Sequence, residues 1–261
     1  MPKCYVCRKC GRIHSQLAYD EGRFCKNCGT FLYNTFVENK AREQSLPKEV
    51  TKRYCRDYGI STLYHITPME NTLSIMEHGL FCYNLTEDQN LLETSCSNHE
   101  IQERRSQSFV GDRSANDYVP LFFSEKSPML YAIEYSKEHM GKKIIYICIK
   151  GEIIGEKGVW FSDGNVASNQ TIRYYSLGDL RKLDWDLIRA FNQDKYGFEE
   201  AKRIKSAEVL IPSVIEPRWF EKLIVPSLEA KLKLQPMLPQ PMLPIEIKPE
   251  FYFNPAGYSS C

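Results

Sequence analysis

The stretch Leu63-Tyr-His-Ile-Thr-Pro-Met-Glu-Asn-Thr-Leu-Ser-Ile-Met-Glu-His-Gly-Leu80 organises the chain. It predicts a short strand, Thr62 to Ile66, turning directly into a helix. Thr67 fits the N-cap, Pro68 the first helical position and Glu70 the third, a capping box. Met69, Leu73, Met76 and Leu80 recur at helical spacing, and Gly79 supplies the stop. His65, Thr67 and Asn71 then surround a strand-to-helix junction whose unpaired amides suit an anionic or ribose-bearing ligand. The plainer alternative is a capped helix with His65 as a hydrogen-bonded core residue.

The 261 residues leave room for one large domain, or a medium one with a small attachment. Hydrophobic residues at 43% and charged residues at 26% describe an ordinary soluble globular composition. A net charge of +1 argues against a broad basic surface for duplex DNA, though not against a short basic groove for a few nucleotides. No signal-peptide pattern opens the chain and no segment is long enough to span a bilayer. Of the ten cysteines, Cys4, Cys7, Cys10, Cys25 and Cys28 crowd the start and the rest stand singly. That pattern predicts metal binding in a reducing compartment, the cytoplasm by default, rather than a disulfide scaffold.

Two Cys-x2-Cys-Gly knuckles, Cys7/Cys10 and Cys25/Cys28, are separated by fourteen residues. Each can place two thiolates on one structural Zn²⁺, and so small a segment needs a metal to fold. Residues 1–38 therefore read as a zinc ribbon, with Cys4 and His14 as rival ligands. Its role is open between recruiting nucleic acid or protein and capping a neighbouring domain. Residues 39–58 mix Lys40, Arg42, Lys48, Lys52 and Arg53 with Glu43 and Glu49 around Pro47, which predicts a polar helical connector.

Residues 59–261 form the main domain. Asn84 to His99 reads as a loop with short helical turns, and Ile101 to Val110 holds Arg104-Arg105. Tyr118 to Phe123 predicts a strand, and Ser127-Pro opens a helix to about Met140. Lys143 to Lys150 holds a continuous β-rich run, Ile144 to Ile149, and predicts a buried strand. Trp160 to Asn165 predicts a strand ending in a turn, and Leu180 to Phe191 a helix. Lys202 to Ile211 is a basic approach to another strand, Leu223 to Val225 a further one, and Ile245 to Phe253 a last one after a Pro-Met-Leu-Pro duplication. Strands outnumber helices at irregular intervals, which favours α+β.

In this order the motifs resemble the DarT family of DNA ADP-ribosyltransferases. The resemblance runs from Leu63 to Phe253: Leu-Tyr-His-Ile-Thr with Asn71, Arg104-Arg105, Asp117-Tyr-Val-Pro-Leu-Phe-Phe, Ser127-Pro-Met-Leu-Tyr, Ser162-Asp-Gly-Asn165, Leu183-Asp-Trp185, Lys202-Arg with Ala207-Glu208-Val-Leu-Ile, and Pro249-Glu-Phe-Tyr-Phe253. The ribbon, the proline-rich duplication and Phe251 in place of tryptophan depart from the family pattern. The resemblance implies an ADP-ribosyltransferase-like split β-sheet with flanking helices, which consumes NAD⁺. It further implies transfer of ADP-ribose to a base, thymine or guanine, of single-stranded DNA, by a toxin held in check by an antitoxin protein.

It also assigns roles. His65, Ile66, Thr67 and Asn71 match the NAD-binding motif, with Tyr118 and Met129 as pocket walls or, alternatively, core. Arg104 and Arg105 carry an essential arginine between them, suited to positioning phosphate or base, since a guanidinium is a poor base. Glu208 is the carboxylate expected beside the oxocarbenium-like transition state; the leaving nicotinamide already bears positive charge, so one carboxylate suffices. The alternative is a strand-edge glutamate paired with Lys205 or Arg203. Trp160, Tyr174, Tyr175 and Trp185 could stack unpaired bases while Arg173, Lys195 and Lys202 follow a backbone, or these aromatics fill a core. Two rivals stand beside this reading: an RNA or protein acceptor, and a non-catalytic zinc-ribbon nucleic-acid-binding protein.

Overall fold

Six successive residues, Ile144 to Ile149, are wholly shielded from water, and their strand sits inside the sheet as so apolar a run must. The computed structural model describes residues 4–6, 13–15, 44–89, 99–136, 143–190, 198–240 and 242–255. In chain order the strands are β1 (Cys4–Val6), β2 (Ile13–Ser15), β3 (Thr62–Pro68), β4 (Leu80–Phe81), β5 (Phe109–Val110), β6 (Arg113–Ser114), β7 (Tyr118–Phe122), β8 (Ile144–Lys150), β9 (Trp160–Ser162), β10 (Arg173–Tyr174), β11 (Glu208–Pro212), β12 (Val214–Ile215), β13 (Phe220–Val225) and β14 (Ile245–Ile247). Eight of them make one mixed sheet in the order β10-β9-β11-β7-β3-β8-β13-β14. Among the described residues only the β13–β14 pairing is parallel.

The sheet is split in the middle. β3 pairs with β8 continuously from Thr62↔Lys150 to Pro68↔Ile144, but meets β7 only at Tyr64↔Phe122. Pro120 explains the parting. A strand residue points its N–H and C=O to the same side. The Pro120 carbonyl points at β3, where the His65 ring takes it up, so the missing proline N–H falls on that side too. Beyond Tyr64 the ladder has nothing to continue it.

One face of the sheet packs Leu63, Leu121, Ile145, Ile147, Ile149, Val209, Leu223 and Val225 into the main core. The other carries two separate clusters. Ile66, Tyr146, Cys148 and Ile224 with Leu130 and Ile133 lie on the β3–β8 side. Tyr118, Trp160, Val166 and Leu210 lie on the β11 side. The gap between them is where the split opens.

Several expectations are corrected. β3 runs through Pro68 rather than stopping at Ile66; a 3-10 turn (Met69–Asn71) follows, and the helix is Thr72–His78 with no side-chain cap. Seven ladder pairs with β8 outweigh a cap worth about 1 kcal/mol. Gly79 does end the helix, at φ +98°. Leu180 to Phe191 divides into a 3-10 segment (Leu177–Lys182) and a helix (Trp185–Arg189), because Asp184 turns its side chain to cap Leu187. The final strand stops at Ile247, two residues before Pro249. The short helical turns expected between Asn84 and His99 begin with a helix, Tyr83–Gln89.

The helix Lys48–Asp57 buries Thr51 and Cys55; Thr51 sits against Gly155, where an added Cβ would come within 2.1 Å of its hydroxyl. Cys7, Cys10, Cys25 and Cys28 lie outside the described residues. No helix among the described residues is long and apolar enough to cross a membrane.

Candidate active site

Glu208 opens β11 and is almost completely enclosed, at 3% exposed. Its position is not that of an edge glutamate. Oε2 accepts from Arg105 Nη1 at 2.8 Å and Oε1 from the Val166 amide at 3.1 Å. Arg105 also donates to the Ala115 carbonyl at 3.3 Å. The expected alternative partners are engaged elsewhere: Arg203 pairs with Glu200 and Asp163, and Lys205 donates to the Ala190 carbonyl. Successive residues on a helix point about 100° apart. Hence, on the helix His99–Ser106, Arg105 turns inward while Arg104 stays exposed beside Glu100. Of the two arginines, Arg105 is the one brought to the carboxylate.

Ser162 completes the setting. Wholly buried, it accepts from the Glu208 amide at 3.2 Å and donates to the Gly164 carbonyl at 2.7 Å. It thereby ties β9 and the turn after it to the first residue of β11.

Across the split, His65 Nδ1 lies 3.1 Å from the Pro120 carbonyl. A carbonyl can only accept, so Nδ1 carries the hydrogen and Nε2 keeps a lone pair. Burial pushes the imidazole down to about 4, while the residue as a whole is half-buried. A neutral ring with an acceptor nitrogen suits a sugar hydroxyl. Asn71 Nδ2 donates to Thr67 Oγ1 at 3.3 Å, and both residues are buried. Ile66 and half-buried Met129 pack in the cluster with Tyr64. The registers Glu208↔Phe122 and Tyr64↔Phe122 set Glu208 and Tyr64 on one face with β7 between them, about 10 Å apart between Cα atoms. His65, the next residue, starts from the opposite face of β3, and its ring reaches the Pro120 carbonyl where β3 and β7 part.

The family described as "ssDNA thymidine ADP-ribosyltransferase, DarT" matches residues 64–253. This chain belongs to the DarT family. A "DNA ADP-ribosyl transferase" of Thermus sp. (strain 2.9) is 28% identical over 207 residues, covering 73% of this chain and 95% of that one. The Thermosipho africanus "DNA ADP-ribosyl transferase-DNA ADP-ribosyl glycohydrolase fusion protein" is 26% identical over 195 residues, 74% of this chain. The chain spans half the length of that fusion protein. Among solved structures, "Thermus sp. 2.9 DarT in complex with ADP-ribosylated ssDNA" superposes with a TM-score of 0.63 at 25% identity, covering 75% of this chain and 97% of that one.

Other side chains expected to serve a DarT site fall into different places. Tyr118 is buried with its hydroxyl donating to the Val110 carbonyl at 3.1 Å, and burial pushes it up to about 12. It is a core residue under the β5–β6 hairpin. Trp160 is 3% exposed against Tyr175, and Tyr174 is stacked on Phe161. Trp185 packs edge-on to Phe123 and donates to the Leu180 carbonyl. Trp160 and Tyr174 fill core, where they have little surface for a base; Trp185 and Tyr175 are half-buried. Arg173 directs its fork at backbone carbonyls of the protein, Lys202 is exposed, and Lys195 lies outside the described residues. Ser162 and Val166 went unnoticed as partners of Glu208; Ser162-Asp-Gly-Asn165 signalled a turn but not what the turn would hold. Tyr131 and Tyr135 were also missed as an exposed pair, their rings 4.6 Å apart with Phe253 edge-on at 5.3 Å. Their i, i+4 spacing was the available signal.

Proposed function

We propose that this DarT-family chain consumes NAD⁺ and transfers its ADP-ribosyl group to a base of single-stranded DNA, releasing nicotinamide. One observation carries the reading: a buried carboxylate, Glu208, held on both oxygens by Arg105 and Val166, on the strand beside β7, whose Pro120 carbonyl engages His65 where β7 and β3 part. When the bond from ribose C1′ to the nicotinamide nitrogen breaks, its electrons neutralise the pyridinium and positive charge builds on the ribosyl ring. A fixed anion there lowers the barrier without reorganising. Arg105 keeps that anion from rotating; being permanently protonated, it is no proton acceptor. The acceptor base bonds to C1′ and releases its proton to solvent. A base inside a duplex cannot reach the anomeric carbon, so unpaired DNA is the substrate class. Thymine, the base in the family's description, is the acceptor we expect first, with guanine next.

Two finer readings accompany this. The Cys7/Cys10 and Cys25/Cys28 knuckles bind one Zn²⁺. Supporting that, β1 and β2 pair from Cys4↔Ser15 to Val6↔Ile13, and the first knuckle lies between them in the sequence. The protein acts as a toxin in the cytoplasm, opposed by a cognate antitoxin; supporting that is a relative joined in one chain to a DNA ADP-ribosyl glycohydrolase.

Incubation with NAD⁺ labelled in the adenylate, with separate single-stranded DNA, RNA and protein pools, tests the acceptor class. Label on DNA is expected. Label confined to RNA or protein overturns the DNA assignment.

A further inference from the structure

Arg173 sits on the outermost strand of the sheet, two strands from Glu208. The registers Arg173↔Ser162 and Val209↔Phe161 place Arg173, Ser162 and Glu208 in one row, and residues opposite one another share a face. The middle member is a serine, so two long side chains can lean toward each other over it. The turn after β9 occupies the space between. Val166 donates its amide to Glu208 Oε1 at 3.1 Å, while its carbonyl accepts from Arg173 Nη2 at 2.7 Å. Arg173 Nη1 donates to the Thr171 carbonyl at 3.1 Å, which pins the far end of the same turn. The Val166 side chain is itself fully buried. Val166 is therefore held on one side by the guanidinium and on the other by the carboxylate. Burial lowers the Arg173 pKa, and the charge of Glu208 is the largest influence opposing that. Arg173 Nε is enclosed without a hydrogen-bond partner among the described residues, a costly placement for a cation unless its other contacts matter. An arginine placed to track a DNA backbone would keep its fork in water.

We propose that Arg173 is a positioning residue for the transfer reaction: it fixes Val166, whose amide aims Glu208 Oε1 while Arg105 holds Oε2. This rests on Glu208 being the carboxylate that meets the ribosyl cation. Arg173 touches neither NAD⁺ nor DNA in this role. Its loss lowers kcat and leaves both KM values in place, the mark of an interaction that matters only in the transition state. A DNA contact would instead raise KM for the oligonucleotide, and a plain strut would lower only the melting temperature.

The test uses the full chain carrying R173K or R173A, with NAD⁺ and a thymine-containing single-stranded oligonucleotide. A fall in kcat of about tenfold to a hundredfold is expected, with both KM values unchanged and R173A partly restored by added methylguanidinium. Lysine, a point charge without the fork, should not substitute. An unchanged kcat, or a rise in KM for DNA alone, overturns the proposal. One measurement needs no Arg173 variant: the amide resonance of Val166, compared between the unaltered chain and E208Q. It must shift when the carboxylate becomes an amide, and an unmoved resonance equally overturns the proposal. Should the unaltered chain transfer nothing, the functional reading fails, while the Val166 resonance still decides the linkage.

Discussion

At the scale of the residue, the chemistry concentrates in a buried ion pair. Arg105 and Glu208 retain 8% and 4% of their side-chain exposure, so removing either strands a charge. Breaking such a pair costs about 3–5 kcal/mol, whereas an exposed i, i+4 pair such as Arg104–Glu100 is worth about 0.5 kcal/mol or less. We therefore expect Arg105→Ala to lower the urea midpoint sharply and abolish transfer, and Arg104→Ala to leave both near the unaltered values. Equal losses would contradict the assignment. His65 makes a different prediction. Its pKa is depressed to about 4, so it stays neutral across the working range, and kcat/KM should show no inflection near pH 6.5 from this ring. Between about pH 4 and 6.5 the unfolded chain binds a proton that the native ring refuses, so native stability falls as pH drops through that window. Denaturant titrations at pH 7 and pH 5, with His65→Gln as reference, check the sign. The sequence made His65, Asn71 and Glu208 visible as types and spacings. It could not choose between neighbouring arginines, because inward or outward depends on helix phase against a partner far away in the chain.

At the scale of the element, local chemistry and long-range pairing disagree where the crevice forms. Thr67-Pro68-Met-Glu70 carries every sign of a helix start, yet those residues complete a strand because β8 offers them partners. Ile144 to Ile149 was legible for the opposite reason: an unbroken apolar run rich in isoleucine has one satisfactory environment, the sheet interior. The stop at Gly79 was legible too, and it is stringent. At φ +98° a side chain is strained, and a Cβ there would lie 2.8 Å from the Ile215 carbonyl. Gly79→Ala should cost about 1–3 kcal/mol, read as a lower denaturant midpoint. A shift within error would mean that the β4–β12 contact yields freely.

At the scale of the whole molecule, the α+β class followed from counting strands, but the split did not. It depends on β7 lying beside β3 and on Pro120 presenting its carbonyl without an N–H, and neither fact is written in any one stretch. Two of the expected aromatic stackers are buried for a related reason. Trp160 and Tyr174 read alike whether they cover a core or a base, and packing decided for the core. For the amino-terminal knuckles we expect one zinc per chain by elemental analysis, lost in Cys7→Ser; an unchanged content would transfer the ligand role to Cys4.

The central claim, that a carboxylate fixed at the split meets the ribosyl cation, is most directly tested by mass analysis of a single-stranded thymine oligonucleotide incubated with NAD⁺ and either the unaltered chain or its Glu208→Gln variant. Gain of one ADP-ribosyl mass with the unaltered chain, and a rate at least a hundredfold lower with the variant, is the predicted result. An oligonucleotide modified equally by both would contradict it.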